Sequence, residues 1–139
     1  MVERENIFPE GMPKRIVKGH VLYTPVVTVV PGKLVFVSGI LSRNSKGEIV
    51  GKGDMAAQIR QVFENIKTAL AAAGATMADI VKLNTYLVAE VSQDDLPKMR
   101  AIRDRYLNKD KPPASTLVVV SRLARPGWLI EIEAVAAID

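Results

Sequence analysis

The sequence lacks cysteine and has a single histidine and few aromatic residues, and each shortage excludes a class of function. The absence of cysteine from all 139 residues rules out a disulfide framework, a thiolate metal site and a cysteine nucleophile. With His20 as the only histidine, a metal site built from several histidines is ruled out as well. An aromatic content of 5% argues against a surface on which nucleic-acid bases stack.

The chain also lacks a hydrophobic run of the roughly 18 residues that a membrane span requires. Its first residues are charged from Glu3 onward and contain no apolar segment typical of a secretory signal. We therefore expect a cytoplasmic protein without a membrane partner. The net charge of +4 is small and scattered, so the sequence does not support a nucleic-acid partner, whereas a weak positive field suits a small organic anion.

What the sequence does contain is the pattern of one α+β domain. No linker or internal repeat divides the chain, so we expect a single domain over residues 1–139, with 1–14 as an N-terminal extension. Apolar periodicity and turn residues predict the order β-β-α-β-α-β-β, with elements near 15–30, 34–39, 54–74, 80–88, 94–107, 115–123 and 129–138. Two such helices can cover one face of a mixed sheet and leave the other open, which predicts oligomerisation through the open face.

Two carboxylates lie on the last predicted strand. Because side chains alternate along a strand, Glu131 and Glu133 share one face and the apolar residues take the other. Such a face either borders water or lines a site where another element or subunit supplies partners for the charge. From the residues alone, Glu131 is either a site acid or a subunit-interface partner. Arg122, in the strand before, is predicted to form a structural ion pair.

Short motifs follow one another from residue 23 to the end of the chain. They are YTPVV at 23–27, FVSG at 36–39, QVFENIK at 61–67, AGA at 73–75, DIVK at 79–82, KPPA at 111–114, RL at 122–123 and IEIEAVA at 130–136. In type and order they resemble the Rid family, the reactive intermediate deaminases that are also called YjgF-like proteins. This resemblance extends over nearly the whole chain.

The resemblance implies a chorismate-mutase-like α+β fold that assembles as a homotrimer, with small-molecule sites in the clefts between subunits. Archetypal members hydrolyse 2-imino and 2-enamino acids to 2-keto acids and ammonia, without a cofactor or metal. An arginine holds the substrate carboxylate, and a glutamate on the final strand orients water toward the imine carbon. By this resemblance Glu131 is the candidate catalytic residue, and Tyr23, Ser38 and Gly39 are candidate substrate-binding residues.

The carboxylate anchor departs from the family pattern. Where the archetype reads Pro-Ala-Arg, this chain has Ser115 in place of the arginine. Arg100, at a position on the second helix that is commonly Asn in the family, is the candidate for a cation arriving from another direction. A hydrogen bond to a charged group contributes about 1.5 to 3 kcal/mol, so without a substitute a small carboxylate would bind roughly 10- to 100-fold more weakly.

Two functions of different class follow. In the first, a Rid-like homotrimer binds a small polar metabolite and, as a cofactor-independent hydrolase, cleaves an imine or enamine C–N bond with Glu131 and water. In the second, which Ser115 favours, the chain is a non-catalytic metabolite-binding or chaperone-like member of the same fold. The ribonuclease activity that has been attached to the family finds no support, because acid–base cleavage of RNA by a histidine pair needs more than His20.

Overall fold

A mixed four-stranded sheet covered on one face by two helices forms the body of the molecule in the computed structural model, which describes residues 2–139. In chain order the elements are β1 (Glu3–Ile7), β2 (Ile16–Val17), β3 (His20–Val21), β4 (Val26–Val30), β5 (Lys33–Ile40), α1 (Met55–Ala72), β6 (Ile80–Val88), α2 (Leu96–Arg103), β7 (Ala114–Val120) and β8 (Ile130–Ile138). The four-stranded sheet has the order β5-β8-β6-β7, in which β7 runs parallel to β6 and the other pairs are antiparallel. This arrangement confirms the predicted fold class.

Helix α1 follows the sequence pattern closely. The Asp54 side chain accepts a hydrogen bond from the Ala57 N–H at 3.1 Å and so caps the first turn. Gly74 adopts a φ of +80°, a left-handed conformation that ends the helix. One apolar stripe of the helix is fully buried, formed by Ile59, Val62, Phe63, Ile66 and Leu70. No helix within residues 2–139 is long and apolar enough to cross a membrane.

Helix α2 is shorter than predicted. The sequence pattern indicated a helix over 94–107, whereas the α-helix covers only Leu96–Arg103 and residues 93–95 form a separate 3-10 turn. After α2, the Tyr106 N–H donates to the Arg103 carbonyl at 3.0 Å. This hydrogen bond joins residues three apart, as in a 3-10 helix, and the regular α-helix ends before it.

The N-terminal part differs most from the sequence prediction. The extended opening predicted over 15–30 divides into the β2-β3 hairpin and strand β4, because Lys18 and Gly19 form a tight turn with φ of 51° and 82°. Strand β1 pairs antiparallel with β4 in a separate two-stranded sheet. Its sequence, ERENI, has no apolar alternation that would have predicted a strand.

The two faces of the four-stranded sheet differ in character. On β8, Ile130 and Ile132 are buried beneath the helices, while Glu131 and Glu133 project from the other side, as the alternation predicted. We call this other side the open face. It also carries Phe36, which is 75% exposed and adds a large apolar surface beside the carboxylates.

Arg122 does not lie in a strand. Strand β7 ends at Val120, and Arg122 follows it in an exposed bend. No carboxylate within residues 2–139 forms an ion pair with it. The predicted structural ion pair was therefore wrong, because the strand stops before the guanidinium and leaves it in solvent.

Candidate functional site

A cavity of about 230 Å³ lies between α2, the β2-β3 hairpin and the outer strand β7. We call it the α2 cavity. It brings together three of the predicted substrate-binding residues, Tyr23, Arg100 and Ser115. Its other polar and charged lining comes from Arg15, Thr85 and Arg103, and its apolar walls come from Leu22, Phe63, Leu96, Met99, Leu117 and Ile132.

The register of β7 against β6 places Ser115 in this cavity. The two strands are parallel, with Leu83 opposite Ser115, and partners in such a pair point to the same side of the sheet. Leu83 is fully buried under the helices, so Ser115 faces that side too. Thr116 points the other way, and the Lys82 Nζ donates to its Oγ1 at 2.9 Å on the open face.

A buried hydrogen-bond network holds the Tyr23 segment next to Ser115. Thr24 is 1% exposed; its N–H donates to the Pro113 carbonyl at 3.2 Å and its Oγ1 donates to the Pro112 carbonyl. The Asn6 Nδ2, from β1, donates to Thr24 Oγ1 at 2.7 Å and to the Pro112 carbonyl at 2.9 Å. The two segments that line the cavity are thus tied together by the N-terminal strand. The sequence contained no signal for the role of Asn6, which depends entirely on β1 pairing with β4.

Arg103 braces the hairpin that closes one side of the cavity. Its Nη1 donates to the Leu22 carbonyl at 2.9 Å. Burial lowers the pKa of Arg103, and nearby Arg100 lowers it slightly further, while Asp104 raises it. A guanidinium stays protonated at neutral pH despite such shifts. Sequence reasoning missed Arg103, although its position three residues after Arg100 puts both on one side of the helix.

His20 has a structural partner beside this cavity. Its Nε2 lies 3.2 Å from the Asp104 Oδ2, an interaction that joins the hairpin to the end of α2. Within residues 2–139, no group of three or more histidine, aspartate or glutamate side chains could hold a metal ion.

Glu131, Ser38 and Gly39 lie on the opposite side of the sheet. The register between β5 and β8 shifts between Val37 and Ile40, which makes a bulge at Ser38 and Gly39. The Glu131 carboxylate packs against Gly39 so closely that a Cβ at that position would overlap Glu131 Oε1. The bulge and the missing side chain therefore make room for this carboxylate, and all three predicted residues come together on the open face.

The two glutamates of β8 differ in their hydrogen bonds. Glu133 accepts hydrogen bonds from the Tyr86 hydroxyl at 2.6 Å and from the Asn84 Nδ2 at 3.0 Å. Both bonds lower the pKa of Glu133, and the bond from Tyr86 has the larger effect. The Tyr86–Glu133 bond also raises the pKa of Tyr86. Glu131 accepts no side-chain hydrogen bond from any described residue, so its oxygens are free for a ligand, a water molecule or another subunit.

One chain therefore holds the predicted residues as two separate groups. Tyr23, Arg100 and Ser115 line the α2 cavity on the helix side, and Glu131 with the Ser38-Gly39 bulge occupies the open face. The sheet lies between the two groups. A single chain thus does not bring the candidate acid to the candidate binding residues.

Comparison with known proteins identifies the family. A family model described as Endoribonuclease L-PSP matches residues 16–138. The crystal structure of a Rid family protein from Yersinia pestis superposes with a TM-score of 0.80 at 34% identity, covering 97% of this chain and 98% of that one. The chain belongs to the Rid family.

Other Rid relatives are similar over nearly their full length. A RutC family protein from Pyrococcus horikoshii is 40% identical over 134 residues, covering 96% of this chain and 97% of that protein. The 3-aminoacrylate deaminase RutC from Acinetobacter baylyi is 32% identical over 133 residues, covering 96% of this chain and 97% of that enzyme. The resemblance found in the short motifs is confirmed at the level of the family.

Proposed function

We propose that this Rid chain hydrolyses a small imine or enamine at a site shared between two subunits of a homotrimer. One subunit contributes the α2 cavity, and its neighbour contributes Glu131 from the open face. The observation that carries this proposal is the separation of the two groups of residues by the sheet of a single chain. A site containing both groups needs a second copy of the chain.

The character of the open face supports a cover by another subunit. Phe36 is 75% exposed there, Leu34 46% and Val118 40%, which gives this face exposed apolar side chains on β5 and β7. Contiguous exposed apolar surface is typical of interaction sites, and most soluble oligomers are built from identical chains. A neighbour that packs on this face would bury these side chains and bring Glu131 to an adjoining cavity.

The proposed chemistry is general-base catalysis of water addition. The imine reacts as the iminium ion, protonated on nitrogen. Glu131 accepts a proton from a water molecule as the water oxygen bonds to the iminium carbon and the C=N π electrons move to nitrogen, giving a neutral carbinolamine. The protonated Glu131 gives that proton to the amine nitrogen, and the C–N bond breaks as the carbinolamine hydroxyl loses its own proton to the Glu131 carboxylate and the carbonyl forms. Ammonia leaves, and the proton left on Glu131 passes to ammonia or water. An enamine enters the same path after its β-carbon has been protonated.

The cations of the α2 cavity would replace the missing family arginine. Arg100 lines the cavity together with Arg15 and Arg103, and Ser115 adds one hydroxyl where the archetype has a guanidinium. An arginine can bind a carboxylate through two parallel hydrogen bonds. The similarity to a relative named as a 3-aminoacrylate deaminase supports an enamine or imine acid as the substrate class.

Subunit complementation tests the shared site directly. Glu131→Gln and Arg100→Ala chains, each inactive alone, are co-expressed with different tags and purified as mixed trimers. Because a working site takes Glu131 from one chain and Arg100 from another, each mixed trimer contains one intact site of three and should show about one third of the wild-type ammonia release. If the mixed trimers remain inactive, Glu131 and Arg100 either act within the same chain or do not act together in the reaction, and the shared site is wrong.

A non-catalytic binding role is the second candidate, and Ser115 is the observation that favours it. With Ser115 in place of the family arginine, the cavity lacks the group that positions a substrate carboxylate for hydrolysis, so a ligand could be bound there without being turned over. This role predicts saturable binding of a keto acid by the wild-type trimer with no ammonia release from any imine tested. The cytoplasmic location expected from the sequence stays a prediction.

A further inference from the structure

The α2 cavity carries positive charge without a compensating acid in its lining. Arg15, Arg100 and Arg103 line it, and within the described residues no aspartate or glutamate does. The adjacent Asp104 interacts with His20 at 3.2 Å. Arg103 directs one of its donors to the Leu22 carbonyl, so most of the guanidinium donors remain for a ligand. A cavity with this charge selects an anion.

The walls of the same cavity are mostly apolar and are held in place. Phe63, 1% exposed, stacks on Tyr106 with ring centroids 5.1 Å apart and an interplanar angle of 16°. Because this stacking fixes the ring, Phe63 forms a wall and does not swing in to fill the space. Ile132, 1% exposed, forms another wall. Apolar walls with a few polar groups at one side fit a ligand whose body is apolar and whose polar end is small.

The size of the cavity exceeds the needs of a three-carbon acid. Its volume is about 230 Å³, whereas an apolar cavity of roughly 150 Å³ holds benzene. A water molecule takes roughly 30 Å³ of liquid volume, so a three-carbon ligand would leave several waters against the accessible apolar lining, which includes Leu22, Leu96 and Leu117. A larger apolar group would displace these waters and bury the walls.

We propose that the α2 cavity takes a monoanionic 2-imino or 2-keto acid whose side chain is about the size of a benzene ring. Arg100 holds the carboxylate. The accessible lining residues Leu22, Leu96 and Leu117 contact the apolar side chain. This inference rests on the proposed function for the identification of the α2 cavity as the substrate pocket. It goes further by naming the substrate class.

Calorimetric titration of the wild-type protein with stable keto acids tests the inference without any turnover. Phenylpyruvate has the proposed charge and size, pyruvate lacks the ring, the methyl ester of phenylpyruvate lacks the charge, and 2-oxoglutarate exchanges the ring for a second carboxylate. We expect phenylpyruvate to bind at least tenfold more tightly than each of the other three. Equal affinity for pyruvate would show that the cavity does not select an apolar side chain. Equal affinity for the ester would show that the negative charge is not recognised. Tighter binding of 2-oxoglutarate would show that the preferred ligand is a dianion, contrary to the proposal.

A pair of variants then locates the anion. Arg100→Ala should weaken phenylpyruvate binding by tenfold or more, whereas Arg105→Ala should leave it unchanged, because Arg105 is exposed and does not line the cavity. Equal losses in both variants would reveal a diffuse effect of charge and defeat the role of Arg100.

The inference and the proposed function fail in different ways. Phenylpyruvate binding with no ammonia release from the corresponding imine defeats the hydrolase and leaves the ligand class intact. Hydrolysis of a three-carbon imine, together with equal affinities for phenylpyruvate and pyruvate, defeats the ligand class and leaves the hydrolase intact.

Discussion

Gly39 and Glu131 are in such close contact across β5 and β8 that no side chain at position 39 can coexist with the present position of the Glu131 carboxylate. The contact involves the far end of a flexible side chain, so a larger residue at 39 displaces the carboxylate and does not break the sheet. The bulge in β5 falls at this same point, between Val37 and Ile40. The lack of a side chain at Gly39 thus sets the position of the Glu131 carboxylate, the candidate base.

Gly39→Ala should therefore reduce turnover far more than it reduces stability. We expect kcat/KM for imine hydrolysis to fall by tenfold or more, equivalent to about 1.4 kcal/mol in transition-state stabilisation, while the melting temperature and assembly change little. Ammonia release and thermal unfolding are the measurements. Adding Glu131→Asp, which shortens the acid by one methylene, should recover part of the activity. Full activity in Gly39→Ala alone would remove this contact from the mechanism.

Ser115→Arg should raise the hydrolysis of small imines. The side chain at 115 faces the α2 cavity, so an arginine there would add a charge-assisted pair with the substrate carboxylate. We expect a gain of tenfold or more in kcat/KM for 2-iminopropionate generated in situ, followed by ammonia or keto-acid release. Ser115→Lys is the matched control and should gain less, because an ammonium lacks the planar fork of a guanidinium. No gain in Ser115→Arg, with assembly intact, would show that the cavity does not hold a substrate carboxylate beside position 115.

The Tyr86–Glu133 hydrogen bond should make part of the stability depend on pH. Because the bond lowers the pKa of Glu133, its contribution is present above the ordinary glutamate pKa, about 4.3, and is lost as the pH falls through the lower folded-state value. Tyr86→Phe removes the bond, so the wild type should be the more stable protein at pH 7 and the difference should shrink toward about pH 3. Denaturant unfolding of both proteins at the two pH values is the measurement. A difference that does not change with pH would assign the effect of Tyr86 to packing alone.

Phe36→Asp should separate the subunits and abolish activity together. A charge at this exposed position on the open face opposes burial against another chain, and each proposed site needs two chains. Sedimentation equilibrium should give three times the 15.2 kDa chain mass for the wild type and the mass of one chain for the variant. Met12→Asp is the control, since Met12 is 52% exposed but lies outside the sheet. A wild-type protein that is a stable monomer at micromolar concentration would contradict both the trimer and the shared site.

The sequence by itself determined the elements whose signals are local. The Asp54 cap, the apolar stripe and the Gly74 stop predict α1 because each acts within a few residues, and the alternation of β8 correctly put Glu131 and Glu133 on one face. The short motifs were sufficient for the family because their types and order extend over most of the chain. Strand β1 and the early end of α2 escaped prediction because long-range pairing and local 3-10 closure outweigh periodicity there.

Only the tertiary structure decided which candidate residues meet. Arg15 and Arg103 reach the cavity through the hairpin and the helix, contacts between segments far apart in sequence that no local pattern encodes. The parallel register of β7 against β6 turned Ser115 to the helix side, while the antiparallel register of β8 turned Glu131 to the open face. A shift of one residue in either register would exchange those faces, because strand side chains alternate with a period of two.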